Sequence, residues 1–308
     1  MNFSEGATPS GVIGRFAPSP TGLLHFGSLV AAAGSYLDAV TANGRWLLRI
    51  EDVDTPRTVP GMAELQVNAL AAYGFVWDGE VIHQSSRSAC YQAALESLIA
   101  SGRAYPCTCT RSQIASAADV RNGIDGTVYP GTCTQWAPDD PVPEGAAWRF
   151  RVPQGITGFE DRICGYQQQD LQRDVGDFPL RRADGCFTYQ LAVVVDDLAQ
   201  GVTDVVRGAD LLDSTPRQIA LIHALGGVVP TYAHLPVVKN GEGEKLSKQT
   251  RAEAIPLLHE AERVAQLWQA LVFLGQSPPL PLKTTDQRIL WAWAEANWNI
   301  NLLRATNS

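Results

Sequence analysis

No apolar run of about eighteen residues occurs in this chain, and its first residues, Met1-Asn2-Phe3-Ser4-Glu5, lack the basic stretch and apolar core of a secretory leader. A soluble cytoplasmic protein is expected. Positive charge is scarce too: 24 Lys and Arg stand against 32 Asp and Glu, a formal net charge of −8. That balance argues against nucleic-acid binding by bulk electrostatics, though a local basic surface remains open. The best candidates for one are Arg181-Arg182 and the stretch 239–248. Internal repeats and low-complexity tracts are absent. What is present is ample: 308 residues, 45% of them apolar, suffice for one large α/β domain or two smaller ones with a real core.

The most informative stretch is 15–28, Arg-Phe-Ala-Pro-Ser-Pro-Thr-Gly-Leu-Leu-His-Phe-Gly-Ser. An apolar lead-in, Val12-Ile13-Gly14, and a small-residue helical run over 28–40 mark it as a strand-to-helix turn. Such a turn presents backbone N–H groups and the positive end of a helix dipole to an anion such as a phosphate. Far downstream, Lys245-Leu246-Ser247-Lys248-Gln249 follows a Gly-bearing loop, Asn240-Gly241-Glu242-Gly243, and offers cations to the same kind of ligand.

Between these stretches, 45–50 reads as a buried strand ending in the acidic cluster Glu51-Asp52-Val53-Asp54, with helices over 58–73 and 87–101. The alternation predicts an α/β fold with a doubly wound parallel sheet. From about 104 to 187, Cys, Pro, Gly and Thr become frequent and helical periodicity fades, which reads as an insertion. The α/β pattern resumes at 189–197, Tyr-Gln-Leu-Ala-Val-Val-Val-Asp-Asp, expected to be a central strand. A helix over 215–225, a strand over 232–238 and a helical region carrying Trp291, Trp293 and Trp298 follow. The expected division is 1–104 and 188–250 as the two halves of a nucleotide-binding core, 105–187 as the insertion and 251–308 as a helical C-terminal region.

Disulfides are not expected among six cysteines in a cytosolic chain. Cys107, Cys109 and Cys133 cluster in the insertion, with Tyr129 four residues before Cys133. Three thiolates and one more donor would complete a tetrahedral zinc site, but the Cys-x-Cys step is tighter than the usual knuckle and leaves free thiols equally open. Cys90, Cys164 and Cys186 read as ordinary buried thiols.

His25-Phe26-Gly27-Ser28 resembles the HIGH signature, and 245–249 the KMSKS signature, of class I aminoacyl-tRNA synthetases. Phe26 replaces the usual isoleucine and Gln249 the usual final serine. The leading Arg15-Phe16-Ala17-Pro18-Ser19-Pro20-Thr21-Gly22 is similar to the glutamyl/glutaminyl subgroup. The resemblance spans roughly 10–250 and implies a Rossmann-like core that joins an amino-acid carboxylate to the α-phosphate of ATP, supplied with Mg2+. A carboxylate is already a nucleophile at neutral pH, so catalysis rests on alignment and on stabilising phosphate charge. The resemblance assigns His25, Gly27, Ser28 and Lys248 to ATP, with His25, Lys248 and Lys245 as the catalytic donors. It assigns Arg15, Phe16, Ala17, Pro18, Ser19, Glu51, Tyr189 and Arg207 to glutamate. Arginine suits a carboxylate because its planar fork grips bidentately. Read from the residues alone, Arg15 and Glu51 could instead pair across strand ends, and Tyr189 could cap the core. Some members of the glutamyl group carry a structural Zn2+, in one branch with a tyrosine as fourth ligand, which implies Cys107, Cys109, Tyr129 and Cys133 here.

Only 60 residues follow Lys248, too few for an anticodon-binding region. The chain is therefore expected to resemble the truncated paralogues of glutamyl-tRNA synthetase. Those activate glutamate without tRNA and transfer it to the queuosine base in the anticodon loop of tRNA(Asp). A monomer and no membrane partner are expected. The alternatives are a compact glutamyl-tRNA synthetase charging a tRNA 3′ end and a catalytically dead binding protein. Intact Arg15, His25, Glu51, Arg207 and Lys248 speak against the second.

Overall fold

β1 (Ile13–Phe16) runs into the 15–28 turn, and α1 (Phe26–Thr41) carries the chain back to β2 (Arg45–Ile50), parallel to β1. The computed structural model describes residues 11–117, 121–124, 126–238 and 253–306. After α2 (Met62–Ala72), the short β3 (Ile82–His83) joins the far side of β2, giving a parallel group ordered β1-β2-β3. α3 (Ser88–Ala100) leads to β4 (Ala104–Cys107), α4 (Arg111–Ala115), a hairpin of β5 (Arg121–Gly123) and β6 (Gly126–Val128), and β7 (Ala147–Phe150). β8 (Ile156–Asp161), β9 (Gly165–Asp170), α5 (Leu171–Asp174) and β10 (Pro179–Arg181) follow, and β10-β7-β4 form a small antiparallel sheet. α6 (Tyr189–Gln200), β11 (Asp204–Gly208), α7 (Thr215–Ala224) and β12 (Thr231–Leu235) return to the core, followed by α8 (Glu260–Phe273) and α9 (Gln287–Asn297).

β11, β12 and β8 are parallel, and β9 runs antiparallel at their edge. The two parallel groups meet where Ile13 N–H donates to Thr203 Oγ1 (2.8 Å) and Thr203 N–H to the Ile13 carbonyl (3.0 Å). Strand order therefore reverses between β1 and β11, the switch point of a doubly wound sheet, and a crevice opens beyond the strands' C-terminal ends. α1 crosses this junction closely. A Cβ at Gly34 would lie 2.7 Å from Leu235 Cδ1, so glycine lets the helix seat closely on β12 without displacing that side chain. Ala32 and Ala33 beside it are wholly buried.

The C-terminal helices belong to the same core. Trp291 stands edge-on to Tyr36 and Phe75 with ring centroids 5.1 Å from each, and its indole N–H donates to the Tyr73 carbonyl (2.8 Å), meeting the polar need of a buried tryptophan. Among the described residues no helix is long and apolar enough to cross a membrane.

One expected element differs in kind. The Val-rich segment 189–197 is not a central strand but the first part of helix α6. Thr188, extended at φ −91° and ψ 158°, opens the helix, and Gly201 at φ +67° closes it in the left-handed region. Leu191 through Asp197 are all buried, so the segment lacks a polar face and its periodicity could not separate helix from strand. Burial on several sides overrides the modest helix cost of three β-branched valines.

Candidate active site

The crevice at the switch point holds a cavity of about 630 Å³. Arg15, Phe16, Ala17, Pro18, Ser19, His25, Gly27, Ser28, Glu51, Tyr189 and Arg207, the substrate and ATP candidates outside the lysine loop, all line it. Lys245 and Lys248 lie outside the described residues. The segments flanking them are brought to the cavity: Val238 lines it, Ala254 forms a bridge with His25, and Ile255 N–H donates to the Leu24 carbonyl (3.0 Å).

His25 caps α1. Its Nδ1 accepts from Ser28 N–H (3.2 Å), while the Ser28 hydroxyl accepts from His25 N–H (3.3 Å). An accepting Nδ1 fixes the neutral tautomer with its proton on Nε2. A Cβ at Gly27 would come within 3.1 Å of the imidazole, so glycine keeps the ring's place open. The turn before it is tied down by Glu51 N–H donating to the Pro18 carbonyl (2.9 Å) and by Gln66 donating to the carbonyls of Ser19 (3.1 Å) and Gly22 (2.7 Å).

Arg15 does not pair directly with Glu51. Its Nε donates to both Asp197 oxygens (3.3 and 3.4 Å), and Asp197 also meets Arg49 Nη2 at 2.8 Å. Arg49, wholly buried on β2, reaches Gln200 Oε1 (2.6 Å) and Glu51 Oε1 (3.4 Å). Behind it, Asp196 accepts from Arg87 (2.5 Å), Tyr91 (2.7 Å) and Gln84 (2.9 Å). Burial alone would raise Asp197, but Arg15 and Arg49 outweigh it and hold the carboxyl below its usual range. Glu51 goes the other way: burial pushes its carboxyl up, against the partial relief of Arg49 and Arg15. Burial likewise raises the Tyr189 phenol, which stays neutral as a donor. Tyr189 enters the cavity wall from the N-terminus of α6, not from a strand end.

Arg207, 5% exposed, is held by neutral groups: Nε donates to His234 Nε2 (3.1 Å), Nη1 to Gln218 (2.8 Å) and Nη2 to the Thr215 hydroxyl (2.8 Å). Among the described residues it has no carboxylate in contact. A buried cation without an anion partner is costly unless one arrives from outside.

Away from this cavity, the three thiols of Cys107, Cys109 and Cys133 lie within 4.8 Å of one another. The Cys109–Cys133 sulfurs are 3.7 Å apart, and the Tyr129 oxygen lies 3.4 Å from Cys107 Sγ and 3.8 Å from Cys109 Sγ. Zn–S bonds of about 2.3 Å in a tetrahedron space sulfurs about 3.8 Å apart, which the Cys109–Cys133 pair matches, and the whole donor set is compact enough to close on zinc. Burial raises the Tyr129 phenol when no metal is bound, while Cys133 N–H donates to its oxygen (2.8 Å) and favours its anionic form. Cys90, Cys164 and Cys186, expected to be buried, are only half-buried.

Sequence reasoning gave no role to Arg49, Asp161, Asp196, Asp197 or His234. The usable signal was a charged or polar residue inside an apolar run, as with Arg49 in Trp46-Leu47-Leu48-Arg49-Ile50, because such a group must find a partner when buried.

The sequence pattern of the catalytic domain of class I tRNA synthetases (E and Q) matches residues 11–277. The chain belongs to this family. Its curated relatives include the glutamyl-Q tRNA(Asp) synthetases of Chromobacterium violaceum, 58% identical, and Thiobacillus denitrificans, 55% identical. Each match covers 95% of this chain and 95% of the relative. A solved glutamate tRNA ligase from Elizabethkingia meningosepticum, in complex with its amino acid, superposes with a TM-score of 0.74 at 26% identity, over 94% of this chain. This chain spans 65% of that protein's length.

Proposed function

We propose that the chain activates L-glutamate with ATP to glutamyl-adenylate, without needing tRNA, and transfers the glutamyl group to the queuosine base of tRNA(Asp). The observation that carries the amino-acid choice is Arg207, a buried guanidinium at the cavity wall with no anion of its own among the described residues. Arg15 and Arg207 share the cavity lining with Glu51 and Asp210, and Arg15 is already met by Asp197, so Arg207 is the lining cation without a carboxylate in contact among the described residues. Glutamate brings two carboxylates and one ammonium, a net single negative charge. Arg15 and Arg207 receive the carboxylates and Glu51 the ammonium.

Activation then needs no general base. The α-carboxylate attacks the α-phosphorus of ATP and pyrophosphate leaves, with Mg2+ arriving as part of the ATP complex. The Nε2 proton of His25 and the N-terminus of α1 meet charge building on the phosphate oxygens, and Gly27 and Ser28 let the nucleotide approach the helix. Lys248 and Lys245 supply further cations from the downstream loop. Cys107, Cys109, Cys133 and Tyr129 would hold a structural zinc; four protein ligands leave no open position, so the metal braces the 104–136 region and takes no part in the reaction.

The choice of acceptor rests on the relatives named glutamyl-Q tRNA(Asp) synthetase, which match this chain nearly end to end. The test joins two assays. Glutamate-dependent ATP–pyrophosphate exchange should proceed without RNA. Labelled glutamate should transfer to tRNA(Asp) only when it carries queuosine. Exchange that requires tRNA, or glutamate recovered as a labile 3′ ester, would overturn the reading.

A further inference from the structure

Arg207 is aimed by a second pair of residues that the adenylation chemistry does not itself require. His234 on β12 is wholly buried, with Nε2 facing Arg207 Nε at 3.1 Å and Nδ1 facing Asp161 Oδ2 at 2.6 Å. Arginine can only donate, so His234 Nε2 must accept. Its proton then sits on Nδ1 and is given to Asp161. Asp161, on β8, is itself pinned: its Oδ1 accepts from the backbone N–H groups of Ile163 (3.0 Å), Cys164 (2.8 Å) and His234 (3.2 Å). The order of roles is thus backbone to carboxylate to imidazole to guanidinium, with the Thr215 hydroxyl, which accepts from Arg207 Nη2, also 3.2 Å from His234 Nε2.

We propose that His234 and Asp161 are positioning residues for the substrate carboxylate: Asp161 selects the His234 tautomer that accepts from Arg207, and this sets the direction of the guanidinium fork. The proposal rests on the reading of Arg207 as a carboxylate ligand. Of the charged groups around His234, Asp161 favours its protonation while Arg207 and Arg15 oppose it; burial is the largest influence, and the imidazole is held below its usual range. Protonation would turn the accepting Nε2 into a donor against a guanidinium 3.1 Å away.

The sharpest variant is Asp161→Asn. The amide oxygen can keep the three backbone N–H groups, which leaves its NH2 toward His234 Nδ1. That reverses the tautomer and sets Nε2–H against Arg207 Nε–H, as replacing a triad aspartate by asparagine does. The expected result is a rise in KM for glutamate of roughly ten- to a hundredfold with KM for ATP little changed, the loss appropriate to one hydrogen bond to a charged group. Histidine 15N shifts should report the proton moving from Nδ1 to Nε2. His234→Leu should raise the glutamate KM similarly, and His234→Gln, which restores a non-titrating acceptor, should recover much of it and flatten the acid limb that His234 contributes.

Arg207→Lys separates the proposal from its premise. An unchanged glutamate KM in Asp161→Asn and His234→Leu, alongside a raised one in Arg207→Lys, overturns the positioning role alone. An unchanged KM in Arg207→Lys overturns both that role and the carboxylate reading beneath it. A wild-type His234 carrying its proton on Nε2 overturns the assigned tautomer and with it the proposal.

Discussion

Arg49 Nη2 lies 2.8 Å from Asp197 Oδ1, and Asp197 is simultaneously the anion for Arg15 at the cavity wall. The pair couples strand β2 to helix α6 and fixes Arg15 and Glu51 from one point. Asp197→Asn keeps the shape and removes the charge, taking from Arg15 its carboxylate partner and leaving Arg49 only the longer contacts to Glu51 and Asp196. Removing one partner of a buried ion pair costs about 3–5 kcal/mol, so a marked fall in melting temperature is expected by calorimetry, with a raised glutamate KM in exchange. The pH dependence has a definite sign. The folded carboxyl is depressed, so its contribution is present above the unfolded value of about 3.9 and is lost as pH falls through the folded value. Acid unfolding below about pH 4 should therefore flatten in Asp197→Asn. An unaltered acid limb would show that the pair does not govern it.

Glu51 predicts a pH effect on the reaction. Burial raises its carboxyl, and only the ionised form attracts an ammonium. As pH falls through that raised value, Glu51 takes a proton and kcat/KM for glutamate should drop, with the limb lying above the ordinary carboxylate range near 4.3. Glu51→Gln should lower kcat/KM throughout and erase the part of the limb that Glu51 contributes. Profiles of identical shape in both proteins would remove Glu51 from ammonium binding.

Much of this site was legible because its residues sit at strand ends and in one turn, where spacing and chemistry coincide. Arg15, His25, Glu51 and Arg207 reach one cavity from β1, α1, β2 and β11. The partners of those residues were not legible. Asp197, Asp161 and His234 act across 182, 73 and 27 positions of sequence respectively, through a helix and two strands whose neighbours only the fold defines. The misread helix α6 shows the same limit. Its Val-Val-Val run resembles a central strand because both are buried on more than one side, and its length of 12 residues becomes visible only once Thr188 and Gly201 are recognised as its ends.

The proposed zinc site can be tested through its least usual candidate ligand. Tyr129→Phe removes the oxygen and keeps all three thiols, so zinc should still bind but leave to a chelator more readily than from wild type. Tyr129→Cys, which gives four sulfurs, should retain the metal more strongly. Cys109→Ser should lower zinc content measured in the purified protein and depress the melting temperature, since binding free energy at a structural site contributes to folding. Equal zinc content and equal chelator resistance in wild type and Tyr129→Phe would exclude the phenol from the ligand set.

His25 has two separable jobs, and one substitution tells them apart. It caps α1 through Nδ1, and the proposed mechanism gives its Nε2–H to the nucleotide. Asparagine is among the best N-cap residues, so His25→Asn should hold the helix and leave the melting temperature nearly unchanged, whereas His25→Ala should lose about 1 kcal/mol from the cap. Both variants lose the phosphate donor, and exchange should fall in both by roughly 10²–10³-fold, the scale for one preorganised donor to developing charge. Lys248→Ala should fall on a similar scale. If His25→Asn exchanges pyrophosphate at the wild-type rate, the histidine serves the helix alone, and phosphate charge must be met by the backbone of the turn and the lysines of the downstream loop.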